Sequence, residues 1–362
     1  MAYVVDTAMQ EYILNSNSNL DYHELNRGRN GAFQLGMDLT KSGMAPLSEG
    51  EVVSKIKTLS NVPKIAVMNR DGVSLSAVRT AVPKTATFGT TAFVNITRAT
   101  VEAVIKYVPS IHGDNAVDGA TYLQKKIRQA IQEMKSQMEA SIITDIDAAK
   151  SQVSASSYPF VFDATADAYL VDVPAGVTAI DDINKVPLQW IEALNAYYMA
   201  DDLTENPIAV LSSPSFFNAY AYGARFKDNN SENLNQIMTG LAPYGSSAIA
   251  EGGGTPVNIG TAYAIAPNCF GLYTWVSEDA RANRVGTNGS VTAVFLPELG
   301  AEVELFTTAT HEDLSATFGA QYEQVYAETI SFALDFVTVL EYNSAPTTVA
   351  KAIKKALWRD NA

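Results

Sequence analysis

The chain has 362 residues, which is enough for two or three domains or for one core with large excursions. It carries 39 acidic and 25 basic residues, and the net charge of −14 argues against a protein that holds nucleic acid or a membrane surface through a basic face. The single cysteine excludes an internal disulfide framework, and no run of about 18 apolar residues is present to predict a membrane-spanning helix.

The first hundred residues predict little core of their own. Residues 1–47 are polar and weakly patterned, which is typical of an extended arm, and a short amphipathic helix is predicted for 49–59. A strand is predicted for 64–68, and residues 73–105, with seven threonines, predict a long β ribbon. Because a two-stranded ribbon is only marginally stable alone in water, two alternatives stay open: a surface loop, or a ribbon that lies across a neighbouring subunit.

Residues 118–150 predict one long helix, because the segment has no proline and its only glycine is Gly119. At about 1.5 Å per residue the helix would be about 50 Å long. Its apolar residues recur every three or four positions and form one stripe. They are Leu123, Ile127, Ile131, Met134, Met138, Ile142, Ile146 and Ala149. The polar residues assigned to the solvent-facing side are Lys125, Arg128, Gln132, Lys135 and Glu139.

The rest of the chain alternates between short helices and strands. The predicted strands are at 159–173, 207–211, 257–265, 271–276, 291–306 and 324–342. A helix is predicted at 188–199, and another begins at Pro214 after a serine N-cap. Residues 348–358 predict a short basic amphipathic helix, with Lys351, Lys354, Lys355 and Arg359 on or near its solvent side.

The usual signals of catalysis are missing from the sequence. There is no phosphate-binding loop and no zinc motif, and His23, His112 and His311 are far apart in the chain. Cys269 is interpreted as a small buried residue rather than a nucleophile. We therefore predict no catalytic residues, no cofactor and no metal site, and a protein that is not an enzyme.

The charge order along the predicted helix opposes the helix dipole. Lys125, Lys126 and Arg128 lie in its first third, whereas Asp145 and Asp147 lie near its end. Either each end faces complementary charge on another surface, or solvent screening makes the order immaterial.

The order of these elements resembles that of the major capsid proteins of tailed double-stranded DNA bacteriophages, a fold shared with herpesvirus shells and encapsulins. The passage Pro207-Ile-Ala-Val-Leu-Ser-Ser-Pro-Ser-Phe-Phe, followed by Gly-rich turns and residues 257–266, is similar to the strand-helix-strand passage of that family's axial domain. The resemblance covers nearly the whole chain and rests on the order and type of elements.

The resemblance implies an α+β capsid fold with an N-terminal arm, an extended β-hairpin loop, a long spine helix, a peripheral sheet and an axial domain. The implied divisions are an arm at 1–60, a loop at 61–110, a peripheral domain at 111–174 with the spine at 118–150, an axial domain at 175–290, a return to the peripheral sheet at 291–345 and a tail at 346–362. The candidate intersubunit contacts are Phe88, Phe93, Lys125, Lys126, Arg128, Asp145 and Asp147.

The implied function is a structural protein that self-assembles, as pentamers and hexamers, into an icosahedral shell around packaged viral DNA. Since the chain leaves no room for a scaffolding segment before the arm, a separate scaffolding protein is expected, with a portal, decoration proteins, weak contact with DNA and no membrane. The protein is expected to assemble in the host cytoplasm and to reside in the virion capsid. The alternatives are an encapsulin-like compartment and a soluble cytoplasmic enzyme or ligand-binding protein.

Overall fold

The structure, a computed structural model, describes residues 30–46, 64–68, 91–95, 99–112, 116–203, 205–225, 241–286, 289–340 and 351–360. The chain divides into two compact units. The described part of unit 1 comes from Arg98–Met138 and Thr274–Val337, and that of unit 2 from Asn26–Thr97, Glu139–Tyr273 and Thr338–Ala362. The predicted helix at 49–59, most of the arm and the ribbon between 69 and 90 lie outside the described residues.

The described residues form both helices and strands, as the α+β prediction requires. The helices are α1 (Gly31–Lys41), α2 (Pro109–His112), α3 (Ala116–Ala149), α4 (Ile180–Ala200), α5 (Pro214–Arg225), α6 (Glu278–Arg281) and α7 (Ser315–Phe318), followed by a 3-10 helix (Ala320–Tyr322). The strands are β1 (Lys64–Met68), β2 (Thr91–Asn95), β3 (Ala99–Tyr107), β4 (Val161–Asp163), β5 (Ala168–Val173), β6 (Ala209–Ser212), β7 (Ala242–Gly245), β8 (Val257–Ile265), β9 (Phe270–Trp275), β10 (Val285–Gly286), β11 (Gly289–Leu296), β12 (Ala301–Glu312), β13 (Val325–Leu340) and β14 (Ile353–Asp360).

The long helix α3 confirms the predicted spine to within two residues at each end. The apolar side chains of its stripe, from Leu123 to Ile146, are buried almost completely. The assignment of Lys135 and Glu139 to the solvent side was wrong, because both are buried as well. Lys135 follows Ile131 by four residues and Glu139 precedes Ile142 by three, so both lie at the edge of the stripe.

Unit 1 contains an antiparallel sheet with the strand order β10-β11-β12-β13-β3. Strand β3 buries every second side chain from Val101 to Tyr107, and β12 does so from Ala301 to Leu305. In β13, Ile330, Phe332, Leu334 and Phe336 are buried, and Ser331 on the other face is buried as well. The predicted single strand at 291–306 is instead a hairpin of β11 and β12. Its turn contains Pro297, which cannot donate a backbone hydrogen bond, and Gly300, which has a φ of 63°.

Unit 2 contains a mixed sheet with the strand order β4-β5-β14-β8-β6-β7. The prediction of a helical tail was wrong, because β14 is a central strand of this sheet. It pairs parallel to β5 and antiparallel to β8, so that Leu357 lies between Leu170 and Thr261. A short apolar run cannot be assigned to helix or strand by its period alone, and here the pairing with two neighbouring strands decides.

The domain ranges stay a prediction, but the sheet of unit 2 crosses one of their boundaries. Strands β4 and β5 come before residue 174, and β14 connects them to β8, β6 and β7 from the predicted axial domain. Strands β1 and β2 form a separate two-stranded antiparallel ribbon, in which Lys64 pairs with Asn95 and Met68 with Thr91.

Candidate functional site

No enclosed catalytic or metal centre is evident in the described part of the chain. No group of three or more histidine, cysteine or acidic side chains there could hold a metal ion. Cys269 is buried and its thiol donates to the carbonyl oxygen of Ala266 at 2.8 Å, as expected for a small core residue. None of the described helices has both the length and the apolar character required to cross a bilayer. The candidate sites are therefore surfaces and charged groups.

The acidic end of α3 finds its complementary charge within the same chain. Asp147 accepts hydrogen bonds from Tyr263 Oη and Lys355 Nζ, both at 2.7 Å, and from Lys150 Nζ at 2.9 Å. Burial acts to raise the pKa of Asp147, but these hydrogen bonds outweigh it and lower the pKa to about 2. Burial raises the pKa of the half-buried Asp145. A second subunit is thus not needed to explain the position of Asp147.

The basic residues of β14 are also paired within unit 2, contrary to the expectation that they lie on a solvent side. Lys354 and Asp201 form an ion pair in which both side chains are 0% exposed. Burial lowers the pKa of Lys354, and the Asp201 carboxylate opposes this effect. Arg359 Nε and Nη2 donate to the two carboxylate oxygens of Asp172 at 2.6 and 2.8 Å. These pairs hold β14 in its sheet and leave its cations unavailable to an external partner.

Glu139 anchors the first described helix to α3. Its carboxylate oxygens accept from the backbone nitrogens of Ala32 at 2.8 Å and of Phe33 at 2.7 Å, the first free N–H groups of α1. Burial raises the pKa of Glu139 to about 7, although the hydrogen bonds that it accepts act in the opposite direction. The sequence did not predict that Glu139 contacts α1. The only sequence signal for its burial was its position three residues before Ile142, at the edge of the apolar stripe.

Three basic residues in the first third of α3 have no carboxylate partner among the described residues. The basic side chains that form ion pairs within the described residues are Lys106, Lys150, Lys185, Arg281, Arg284, Lys354, Lys355 and Arg359. Lys125 and Arg128 are exposed and contact no carboxylate in the part of the chain that the structure describes. Lys126 Nζ donates to Gln129 Oε1 at 3.2 Å and lies 5.9 Å from the ring centre of Tyr122. We call Lys125, Lys126 and Arg128 the basic patch.

An aromatic stack supports the base of this patch. The ring of His112 stacks on that of Tyr122 with their centres 4.1 Å apart, and it stacks on Tyr107 at 5.9 Å. His112 Nδ1 accepts from the backbone nitrogen of Val108 at 2.9 Å, which fixes the ring. Burial, followed by the charge of Lys126, lowers the pKa of His112.

One face of the unit 1 sheet is open and partly apolar. Val104 of β3 and Phe306 of β12 both lie opposite Ser331 of β13, so the three side chains form one row on this face. Val104 is 61% exposed and Phe306 is 38% exposed. Ser331 between them is small and only 7% exposed, so the two apolar side chains flank a buried position on this face.

The two phenylalanines proposed for the ribbon are not tested by the structure. Phe88 lies outside the described residues. Phe93 is in β2, where its backbone pairs with Ala66. Their role as intersubunit contacts stays a prediction, as does that of the basic patch.

No family model matches the sequence, and no curated protein matches it. Solved structures do align with most of the chain. A structure from Mycobacterium phage Bobi is 13% identical, with a TM-score of 0.44 over 84% of this chain and 87% of that one. A structure from Mycobacterium phage Che8 is 8% identical, with a TM-score of 0.42 over 84% and 86%. The capsid of a native GTA particle is 13% identical, with a TM-score of 0.41 over 83% and 84%.

These structures come from two phages and from the capsid of a GTA particle. All three structures are only distantly similar to this chain. The function is therefore proposed from the geometry of the chain itself.

Proposed function

We propose that the chain is a structural major capsid protein that self-assembles, as pentamers and hexamers, into an icosahedral shell around packaged double-stranded viral DNA. The observation that carries the proposal is the ribbon of β1 and β2. Its two strands of five residues pair only with each other among the described strands. Since such a ribbon is marginal in water, it needs a further surface to rest on, and a neighbouring subunit provides one.

The succession of elements after the ribbon supports the same function. The chain passes from β2 to β3 of the unit 1 sheet and then into the 34-residue helix α3. This is the order of loop, sheet and spine helix that the sequence resembled. We propose residues 1–60 as the arm, 61–110 as the loop, 111–174 as the peripheral domain, 175–290 as the axial domain, 291–345 as the return and 346–362 as the tail.

The charge distribution supports a container that does not grip its DNA. The chain has a net charge of −14, and most described basic side chains already have carboxylate partners in the same chain. Because non-specific affinity for DNA comes from cations that neutralise phosphates, contact with the packaged DNA is weak. Packaging then requires an external motor at a portal. The proposal also includes a separate scaffolding protein and decoration proteins as partners. Assembly takes place in the host cytoplasm.

Electron microscopy of the purified protein tests this function. We expect closed shells of uniform size that form without nucleic acid. A second outcome is uniform shells, isolated from infected or producing cells, that enclose protein cargo and no nuclease-protected DNA. That result would instead indicate an encapsulin-like compartment. A small discrete particle with enzymatic turnover or ligand binding would overturn the proposal in favour of the soluble alternative.

A further inference from the structure

The basic patch has a complementary surface at the connection between β12 and β13 in the same unit. There, Leu314 N donates to Tyr322 O at 2.9 Å and closes the loop that contains α7 and the 3-10 helix. Asp313 and Glu323 flank this hydrogen-bonded pair on its two sides, and both are exposed. We call residues 313–323 the acidic tip.

The acidic tip carries unbalanced negative charge. Neither Asp313 nor Glu323 contacts a cation among the described residues, whereas the neighbouring Glu312 forms an ion pair with Lys106. Asp313 accepts from Ser315 N at 2.9 Å, which lowers its pKa and keeps it ionised. Both charges therefore lack an opposite charge in the described part of the chain, and a cation from another molecule can neutralise them.

The acidic tip also presents an apolar side chain. Phe318 is 49% exposed, and its ring packs edge-on against Tyr322 with the ring centres 6.0 Å apart. An exposed aromatic side chain on a loop that also carries two unpaired carboxylates is unfavourable for a surface that faces only water. It suits a surface that packs on aliphatic lysine and arginine stems.

The basic patch is opposite in charge to the acidic tip. Lys125 and Arg128 are three residues apart on α3, so their side chains lie on one face with their Cβ atoms about 5–6 Å apart. The helix therefore offers two cations on one face that lack carboxylate partners, and the acidic tip offers two exposed carboxylates that lack cation partners among the described residues.

We infer that the basic patch of one copy binds the acidic tip of a second copy of this chain. The inference rests on the proposed function and names one of its subunit contacts. A protein partner is favoured over DNA because the patch has only three cations on a chain of net charge −14. The partner surface that the described chain itself supplies is acidic and carries an exposed aromatic side chain.

A charge-swap experiment with the full-length chain tests the inference. One variant reverses the patch (Lys125→Glu with Arg128→Glu), one reverses the tip (Asp313→Lys with Glu323→Lys), and one combines all four substitutions. The control, Lys185→Glu with Arg284→Glu, makes the same change in net charge at two other exposed basic residues. The readout is the fraction of protein in shells after sedimentation, at about 0.15 M ionic strength where distant charges are screened.

We expect each reversal to weaken assembly by about tenfold per contact, because two attractive pairs become repulsive. The combined variant should recover most of the loss, and the control should assemble like the wild type. Circular dichroism and melting should match the wild type for every variant, since the substituted side chains are exposed. Single swaps (Lys125→Glu and Asp313→Lys, alone and together) repeat the test if a double variant folds poorly.

Assembly of the patch reversal at wild-type level would overturn the inference. A loss of assembly that the combined variant does not recover would also overturn it. A loss of duplex DNA binding by the patch reversal in a filter assay would overturn it too, because that result would identify the patch as a nucleic-acid surface. Failure of the wild type to form any shell would instead overturn the proposed function.

Discussion

Ile131 lies in the middle of the buried stripe of α3, and its side chain is 0% exposed. Ile131→Asp would bury an unpaired carboxylate and remove a large apolar group. We expect a loss of about 3–5 kcal/mol in the free energy of unfolding, a large fraction of the stability of an ordinary domain. Gln132→Asp is the matched control, because Gln132 is the next residue and is exposed. Urea unfolding measures both, and equal midpoints would contradict the buried stripe.

Glu139 predicts a pH dependence of stability. Its pKa is about 7 in the folded protein against 4.5 in an unfolded chain, so folding favours the protonated form. The contribution of Glu139 is therefore fully present below pH 4.5 and is lost as pH rises through about 7. We expect the wild type to lose about 3 kcal/mol relative to Glu139→Gln across this range. Chemical denaturation at several pH values measures it, and parallel curves for the two proteins would refute the prediction.

The sequence predicted the stripe of α3 but not the roles of its charged neighbours. The apolar residues repeat every three or four positions, and that pattern is visible without a structure. The burial of Lys135 near Glu298 and of Glu139 at the start of α1 depends on partners that are distant in the chain. Pairings of that kind leave no local pattern, whereas the basic patch was visible as three cations within four residues.

At the scale of elements, β14 is held by ion pairs as well as by its strand pairing. The lysines at 354 and 355 gave this segment the appearance of an amphipathic helix with a solvent side. In the sheet they point into unit 2 and are neutralised by Asp201 and Asp147. A sequence-based method cannot predict this, because the neutralising carboxylates lie more than 150 residues away.

Lys354→Met tests the role of the buried pair. The substitution leaves Asp201 buried without its cation, and we expect a loss of about 3–5 kcal/mol. The matched control is Lys185→Met, which breaks an exposed pair with Asp182 and should change stability by less than about 1 kcal/mol. Thermal and urea unfolding compare the two. A loss no larger for Lys354→Met than for the control would show that β14 does not depend on this pair.

At the scale of the whole molecule, the chain combines a large excess of acidic residues with internal pairing of most of its described cations. The three cations of the basic patch form no ion pair with a carboxylate in the part of the chain that the structure describes. A nucleic-acid binder has the opposite distribution, with its cations exposed along one face.

This distribution predicts weak binding to duplex DNA. In a filter-binding titration at about 50 mM salt we expect no sub-micromolar affinity, since three neutralised phosphates give a salt slope of only about 2.7. The patch reversal, Lys125→Glu with Arg128→Glu, should likewise show no sub-micromolar affinity. Sub-micromolar affinity with a steep salt slope would show that the chain holds DNA directly.

Analytical ultracentrifugation of the wild-type protein, free of nucleic acid and over a range of concentrations, tests the central claim most directly. A shell protein should convert cooperatively, above a threshold concentration, from small species into one fast-sedimenting species of uniform mass, because a closed shell has a fixed number of subunits. A single species of 38.9 kDa at every concentration, or assembly only after DNA is added, would contradict the claim that this chain forms a container by its own contacts.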